Sequence, residues 1–189
     1  MKRIVWFMHV SLDGFVAGPA GEMDWIKVDD DMFEYAHIQT EQADTALYAR
    51  VTYELMDNYW PTAADRPNAT KHDKDHSAWY NKVNKIIISK TMEGQRLTNA
   101  RIISNNISDE IKKLKQGPGK GMVIFGSPSL GHILSSENLI DDYWLFVNPI
   151  ILGQGIPLFK GAKNRTNLKL ELSKTFSSGV VGLHYEVIR

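Results

Sequence analysis

Apolar runs alternate with amphipathic stretches along most of the chain, the pattern of strands interleaved with helices. Residues 4–10 form an apolar run rich in β-branched and aromatic side chains, which predicts a buried first strand. A glycine-rich loop follows over residues 11–21 and ends near Met23-Asp24-Trp25. Residues 29–42 predict a helix with acids at its positive end and Phe33, Ala36 and His37 on one face. A short strand over 45–48 and a helix over 51–57 come next. Tyr59-Trp60-Pro61 then opens a polar stretch to about Asp75, read as a flexible loop or insertion.

Lys-Ile-Ile-Ile-Ser over 85–89 is a compact buried strand, and 100–104 is another. Residues 108–115 predict a short helix capped by Ser108, with acids at its start and lysines at its end. Gly117-Pro118-Gly119-Lys120-Gly121 breaks the chain before a strand over 122–125, after which a helix runs to about Ser136. The last third changes character. Residues 143–152 read as one long strand, while 168–172 and 181–187 alternate with period two around Ser177-Ser178-Gly179. That pattern predicts an antiparallel hairpin closing a mainly parallel, three-layer α/β domain.

Composition narrows the function. Of 189 residues, 22 are Lys or Arg and 22 are Asp or Glu, so the net charge is zero. A broad nucleic-acid or anionic-membrane footprint needs clustered cations and is excluded, although a local phosphate pocket is not. An apolar fraction of 43% supports a folded core. There is no cysteine, which removes disulfides, thiolate metal sites and a cysteine nucleophile, and is compatible with a reducing compartment. The basic-then-apolar start is interrupted by His9, Asp13 and Gly14 before it could serve as an export signal. No apolar stretch approaches the roughly 18 residues of a membrane span. The expectation is a soluble, cytoplasmic protein.

Three strand ends carry phosphate-compatible residues. Ala49-Arg50-Val51-Thr52 leads from a strand into a helix, with a guanidinium and a hydroxyl at the turn. Ser89-Lys90-Thr91 follows another strand. Gly126-Ser127-Pro128-Ser129-Leu130 opens a helix after a third, where free N–H groups and the helix dipole favour an anion. Together they fit an extended dinucleotide across the carboxyl edge of a sheet. Gly117 to Gly121 is not a P-loop, because a strand follows where a helix is required, and Gly153-Gln154-Gly155 is not a dinucleotide fingerprint. His72 and His76 are four apart but lack a third ligand, and neighbouring Lys71 and Lys74 suggest a solvated face; no metal is expected. His9 reads as an interior or cleft residue. Asp13 and the run Asp29-Asp30-Asp31 lie beside Trp25, where a carboxyl could orient or protonate a nitrogen heterocycle.

Ser11-Leu12-Asp13-Gly14-Phe15-Val16-Ala17, Arg50-Val51-Thr52-Tyr53 with Tyr59-Trp60-Pro61, and Leu139-Ile140-Asp141-Asp142 leading to residues 149–159 resemble the dihydrofolate reductase-like superfamily. Within it, the chain is similar to the C-terminal reductase domain of the bifunctional riboflavin biosynthesis deaminase-reductase. The resemblance covers nearly the whole chain and implies one domain over residues 1–189, a central mostly parallel sheet between helices, and NADPH along the strand ends. It implies that Arg50 and Thr52, in the turn begun by Ala49, bind cofactor phosphates. Ser89, Lys90 and Thr91 would sit near the 2′-phosphate, and Gly126, Ser127, Pro128, Ser129 and Leu130 would hold the pyrophosphate. Asp13, Trp25 and either Asp30 or Asp31, with Asp31 assigned, would face substrate and nicotinamide; Gly153 and Gly155 would close the far side. Homodimers through the C-terminal strands are implied as well.

Two positions depart from the family pattern. Ala49 stands where glycine is usual, and Gly126-Ser127 replaces paired glycines, adding bulk where backbone meets cofactor. The zinc deaminase domain has no counterpart in the sequence, so the implied protein is a stand-alone reductase that need not make riboflavin. The expected activity is NADPH-dependent hydride transfer to a small aminopyrimidine- or pterin-like heterocycle, or to a related carbonyl or imine. A dihydrofolate or pterin reductase, or a non-catalytic ligand-binding protein on the same fold, are the alternatives.

Overall fold

The computed structural model describes residues 1–161 and 165–189, apart from the Gln39 side chain. In chain order the elements are β1 (Ile4–Ser11), β2 (Phe15–Ala17), α1 (Asp30–Gln42), β3 (Ala43–Ala49), α2 (Arg50–Tyr59), a 3-10 helix (Trp60–Asp65) and α3 (Lys71–Lys82). There follow β4 (Asn84–Ile88), β5 (Ala100–Ile103), α4 (Ile107–Gln116), β6 (Gly121–Phe125) and α5 (Pro128–Ser136). The chain closes with β7 (Asp142–Asn148), β8 (Ile156–Pro157), β9 (Asn167–Thr175) and β10 (Val181–Ile188).

Eight strands form one sheet in the order β5-β4-β3-β6-β1-β7-β10-β9. The first six are mutually parallel, so their carboxyl ends share one edge, and β10 and β9 add antiparallel. The central strands are apolar on both faces because both are covered. On one face Ile111 of α4 and Leu130 and Leu134 of α5 pack on Ile4, Trp6 and Ile124. On the other, Met32 and Tyr35 of α1, Tyr53 of α2 and Tyr80 of α3 pack on Phe7, Tyr48 and Phe125. The result is the three-layer α/β/α architecture, ending in the antiparallel β7-β10-β9 arrangement that the alternating pattern predicts. Among the described residues, no helix is long and apolar enough to cross a membrane.

Local physics sets the helix ends. Asp29 caps α1 by accepting from the Met32 N–H at 2.9 Å, and Asp30 and Asp31 occupy the first turn. Thr70 and Asp73 form a reciprocal capping box at the start of α3.

Three expectations need correction. The stretch from Tyr59 to Asp75 is not a loop: α2 runs to Tyr59, a 3-10 helix follows with Pro61 in its first turn, and α3 begins at Lys71. Its polarity misled because it faces solvent on one side only. Ser108 is not the cap of α4, which starts at Ile107 after Asn106 in the left-handed region at φ 51°. The strand expected over 143–152 stops at Asn148, and Ile150 turns its carbonyl to the Leu12 N–H at 2.8 Å.

Opposite the shared carboxyl edge, buried charges knit the amino ends of the strands. Asp141 accepts from Lys115, from Arg189 at 2.7 Å and from the Ile4 N–H at 2.8 Å. Asp142 takes a bidentate pair from Arg3 at 2.8 Å and lies 3.0 Å from His184. Burial alone would raise the Asp142 carboxyl, but the bonds from His184 and Arg3 outweigh it and hold the group below its ordinary value.

Candidate functional site

Two turns at the carboxyl edge lie side by side because β3 and β6 are neighbours. From β3 the chain leaves through α2 toward β4; from β6 it leaves through α5 and passes β1 to reach β7. Departures in opposite directions leave a crevice between two helix starts, the switch point where open α/β sheets bind ligands. Neither start has a side-chain cap. The first-turn N–H groups of both helices are therefore available to an anion.

The predicted phosphate residues gather here. Gly126 (φ 62°) and Ser127 (φ 49°) are consecutive left-handed residues that swing the chain into α5. Ser127 is buried, and its hydroxyl accepts the Ala49 N–H at 3.0 Å. A methyl added at Gly126 would meet Thr52 Cγ2 at 3.7 Å, so the two turns are in contact. Arg50 is exposed on the first turn of α2 and pairs with Glu54 at 2.9 Å. Ser89, Lys90 and Thr91 follow β4, the next strand along the same edge; Ser89 is buried and its hydroxyl lies 3.2 Å from that of Thr91.

Beside these turns a cavity of about 750 Å³ opens between the ends of β1 and β6, helix α1, and the segment from α2 to α3. That volume lies within the usual range of small-molecule sites, roughly 300–1,000 Å³. Its walls include Met8 and His9 of β1, Phe125 and Gly126 of β6, Met32 and His37 of α1, Met56, Trp60, and His72 and His76 of α3. His72 stacks on Phe33 with ring centres 3.8 Å apart, and His76 packs on Trp60 at 4.1 Å. Burial pushes the His9 imidazole down to about 4 and that of His76 down to about 3, so both are neutral at pH 7. The expected solvated histidine face thus turns inward. The expectation of a loop over 59–75 hid this wall, and the aromatic content of Trp60, His72 and His76 was the signal available to find it.

The substrate-side acids divide differently from the expectation. Asp30 borders the cavity, whereas Asp31 is exposed and does not line it. Trp25 is half-buried outside the lining, its Nε1 donating to the Glu22 carbonyl at 3.1 Å. Asp13 is also outside the lining. It accepts from Ser11 Oγ at 2.7 Å and from the Leu152 and Gly153 N–H groups at 3.1 and 2.7 Å. The Ser11 bond, with those backbone bonds, holds its carboxyl below the usual value, so it is a carboxylate that latches two loops. Gly155 completes the latch, because a Cβ there would lie 2.1 Å from the Ala17 carbonyl oxygen. Asn148, absent from the sequence reading, anchors the other side: buried at the end of β7, it accepts the Lys27 N–H at 2.8 Å. That bond fixes the segment carrying Met23 and Ile26 beside the cavity.

The residues present fit a phosphorylated dinucleotide, since two uncapped helix starts, an exposed Arg50 and Lys90, and a left-handed Gly126 line one edge. An uncharacterized Bacillus subtilis protein, YyaP, is 36% identical over 186 residues, covering 97% of this chain and 94% of that protein. The fold is shared with a diaminohydroxyphosphoribosylaminopyrimidine deaminase/5-amino-6-(5-phosphoribosylamino)uracil reductase from Thermotoga maritima, with a TM-score of 0.69 at 13% identity over 99% of this chain and 57% of that one. It is shared too with dihydrofolate reductase from Enterococcus faecalis complexed with NADP(H) and RAB-propyl, with a TM-score of 0.64 at 12% identity over 99% and 97% of the two chains. Residues 2–182 match the family described as the RibD C-terminal domain, and the chain belongs to that family.

Proposed function

We propose that the chain is an NADPH-dependent reductase that passes hydride to a small nitrogen heterocycle, aminopyrimidine- or pterin-like, or to a related carbonyl or imine. The observation that carries this reading is the pair of uncapped helix starts, α2 and α5, at the switch point beside a cavity of ligand size. Reductases among the structures of like fold, one of them complexed with NADP(H), support it.

Bound NADPH would supply the hydride. The chain's own residues bind, orient and exclude water. The turn Ala49-Arg50-Val51-Thr52 and residues 126–130 would hold the phosphates through N–H groups and the Arg50 guanidinium. Ser89, Lys90 and Thr91 would take the 2′-phosphate. Apolar walls at Met8, Phe125 and Trp60 keep water from the reacting centre. Asp30 takes the substrate-facing role, while Asp13, Gly153 and Gly155 hold the loops around the mouth. A homodimer through β9 belongs to the same reading, since Leu168, Leu170 and Leu172 are exposed along this edge strand.

The test is an NADPH titration followed by the cofactor's own fluorescence. Lys90→Ala is expected to weaken NADPH more than NADH, since it removes the cation assigned to the 2′-phosphate, whereas Arg50→Ala is expected to weaken both cofactors. Absence of binding at saturating NADPH would sink the cofactor assignment.

A further inference from the structure

The reductase reading leaves open which molecule enters the cavity, and the walls select among them. Four methionines, Met8, Met23, Met32 and Met56, line it together with Trp60 and Phe125. Thioethers and ring faces suit a flat aromatic ring, since soft flexible side chains mould to it and make favourable sulfur–aromatic contacts. Polar character comes from imidazoles. Four of the six histidines of the chain are on these walls. His76 is 8% exposed, and its Nε2 is buried without a hydrogen-bond partner among the described residues. A buried polar atom left unpaired on a cavity wall marks a place where a ligand can be recognised.

The charges on the same walls are predominantly negative. Asp30, Glu34 and Asp75 line the cavity, and the one lining cation, Lys71, has its Nζ 3.2 Å from Glu34 Oε1. His9 and His76, held neutral by burial, add no positive charge at pH 7. A phosphate or carboxylate in this cavity would therefore face three carboxylates and a cation already engaged. The turns after β3 and β4 differ, since they carry the exposed cations Arg50 and Lys90, whereas the lining beside α1 and α3 carries an excess of acids.

We propose that the cavity takes a flat aromatic ring bearing no anionic group, and that Glu34 and Asp75 are specificity-determining residues that reject phosphorylated or carboxylated analogues. For catalysis this rests on the reductase reading, since binding of the ring precedes hydride transfer. Glu34 acts twice, contributing negative charge and occupying Lys71.

Pterin and pterin-6-carboxylate, two fluorescent rings that differ by one carboxylate, form the probe pair, titrated by ligand anisotropy at pH 7 with the full chain. Pterin is expected to bind at least tenfold more tightly. Raising the salt, or the substitution Glu34→Gln, which frees Lys71, is expected to shrink that gap severalfold, with Glu34→Gln/Asp75→Asn shrinking it further. Pterin-6-carboxylate binding as tightly as pterin, a gap indifferent to the substitutions, or no binding of either ring at millimolar concentration would each overturn the proposal. NADPH titrated in parallel separates the two readings: cofactor binding without pterin binding removes the ring site and leaves the reductase, and the reverse removes the reductase and leaves the ring site.

Discussion

The Ser127 hydroxyl accepts the backbone N–H of Ala49 at 3.0 Å, joining the turn after β6 to the turn after β3. These are the two positions where the family resemblance expects glycine. Ser127 is 1% exposed, so its side chain points into the protein and not outward across the crevice. Ser127 thereby supplies the acceptor for a backbone donor beyond the end of the β3–β6 ladder, which stops at Leu47 and Ile124.

Ser127→Ala is expected to lose about 1 kcal/mol of stability, the usual net worth of one such bond, and to weaken NADPH by loosening both turns. Ser127→Gly loses the same bond but relieves the left-handed backbone at φ 49°, a gain of roughly 1 kcal/mol. Urea denaturation should rank wild type and Ser127→Gly close together and Ser127→Ala below them. If Ser127→Ala is as stable as the wild-type chain, the hydroxyl is not what ties the turns.

Sequence patterning reached the sheet and most helices because buried parallel strands such as Ile86-Ile87-Ile88 are apolar on both faces and carry no competing signal. It put the turns of Arg50, Lys90 and Gly126 at the ends of strands, where the structure has them, because glycine, hydroxyl and cation cluster directly after apolar runs. It missed the wall from Trp60 to His76. Short helices with few apolar residues are held there by aromatic–imidazole packing between segments, a tertiary effect that periodicity does not register. It also gave Asp13 a reactive role because a loop acid after a strand looks catalytic, while its partners, the N–H groups of Leu152 and Gly153, are distant in sequence.

The motif Leu139-Ile140-Asp141-Asp142 carries stability. Lys115 and Asp141 are 4% and 6% exposed and in contact. Lys115→Met leaves Asp141 short of a charge partner and is expected to cost about 3 kcal/mol. Adding Asp141→Asn, which keeps an acceptor for the Ile4 N–H, should make the double variant milder than the sum of the two singles. Additive losses in a double-mutant cycle would show that the pair is not coupled.

Gly155→Ala places a methyl 2.1 Å from the Ala17 carbonyl oxygen, an overlap that backbone movement must relieve. A loss of about 1–3 kcal/mol is expected. Because β2 and β8 pair at this point, hydrogen exchange should rise locally at residues 15–17.

Leu168, Leu170 and Leu172 stand 36–48% exposed on the outermost strand of the sheet. An apolar edge is a pairing hazard unless it is covered. Leu170→Glu is expected to convert a dimer to a monomer by light scattering while altering the stability of the single chain by less than about 0.5 kcal/mol. A wild-type chain that is monomeric at high concentration removes the dimer from the reading.

Acid should destabilise the protein well above the range in which its carboxylates titrate. His9 and His76 have folded values near 4 and 3, against an ordinary 6.5. Between pH 6.5 and 4 the unfolded chain therefore binds protons at both positions and the folded chain does not, so stability falls as pH falls. Each histidine contributes a slope of about 1.4 kcal/mol per pH unit over that window, or roughly 3 kcal/mol by pH 4. Asp142, whose folded value is depressed, behaves with the same sign but lower: its contribution is intact above about pH 4 and is lost below it. His76→Leu removes one of the two histidines and the unpaired Nε2 with it, so the variant should match or exceed wild type at pH 5 and show about half its slope. Denaturation midpoints that stay flat from pH 7 to 4.5 in the wild-type chain would mean that these imidazoles titrate freely and that the cavity wall is open to water.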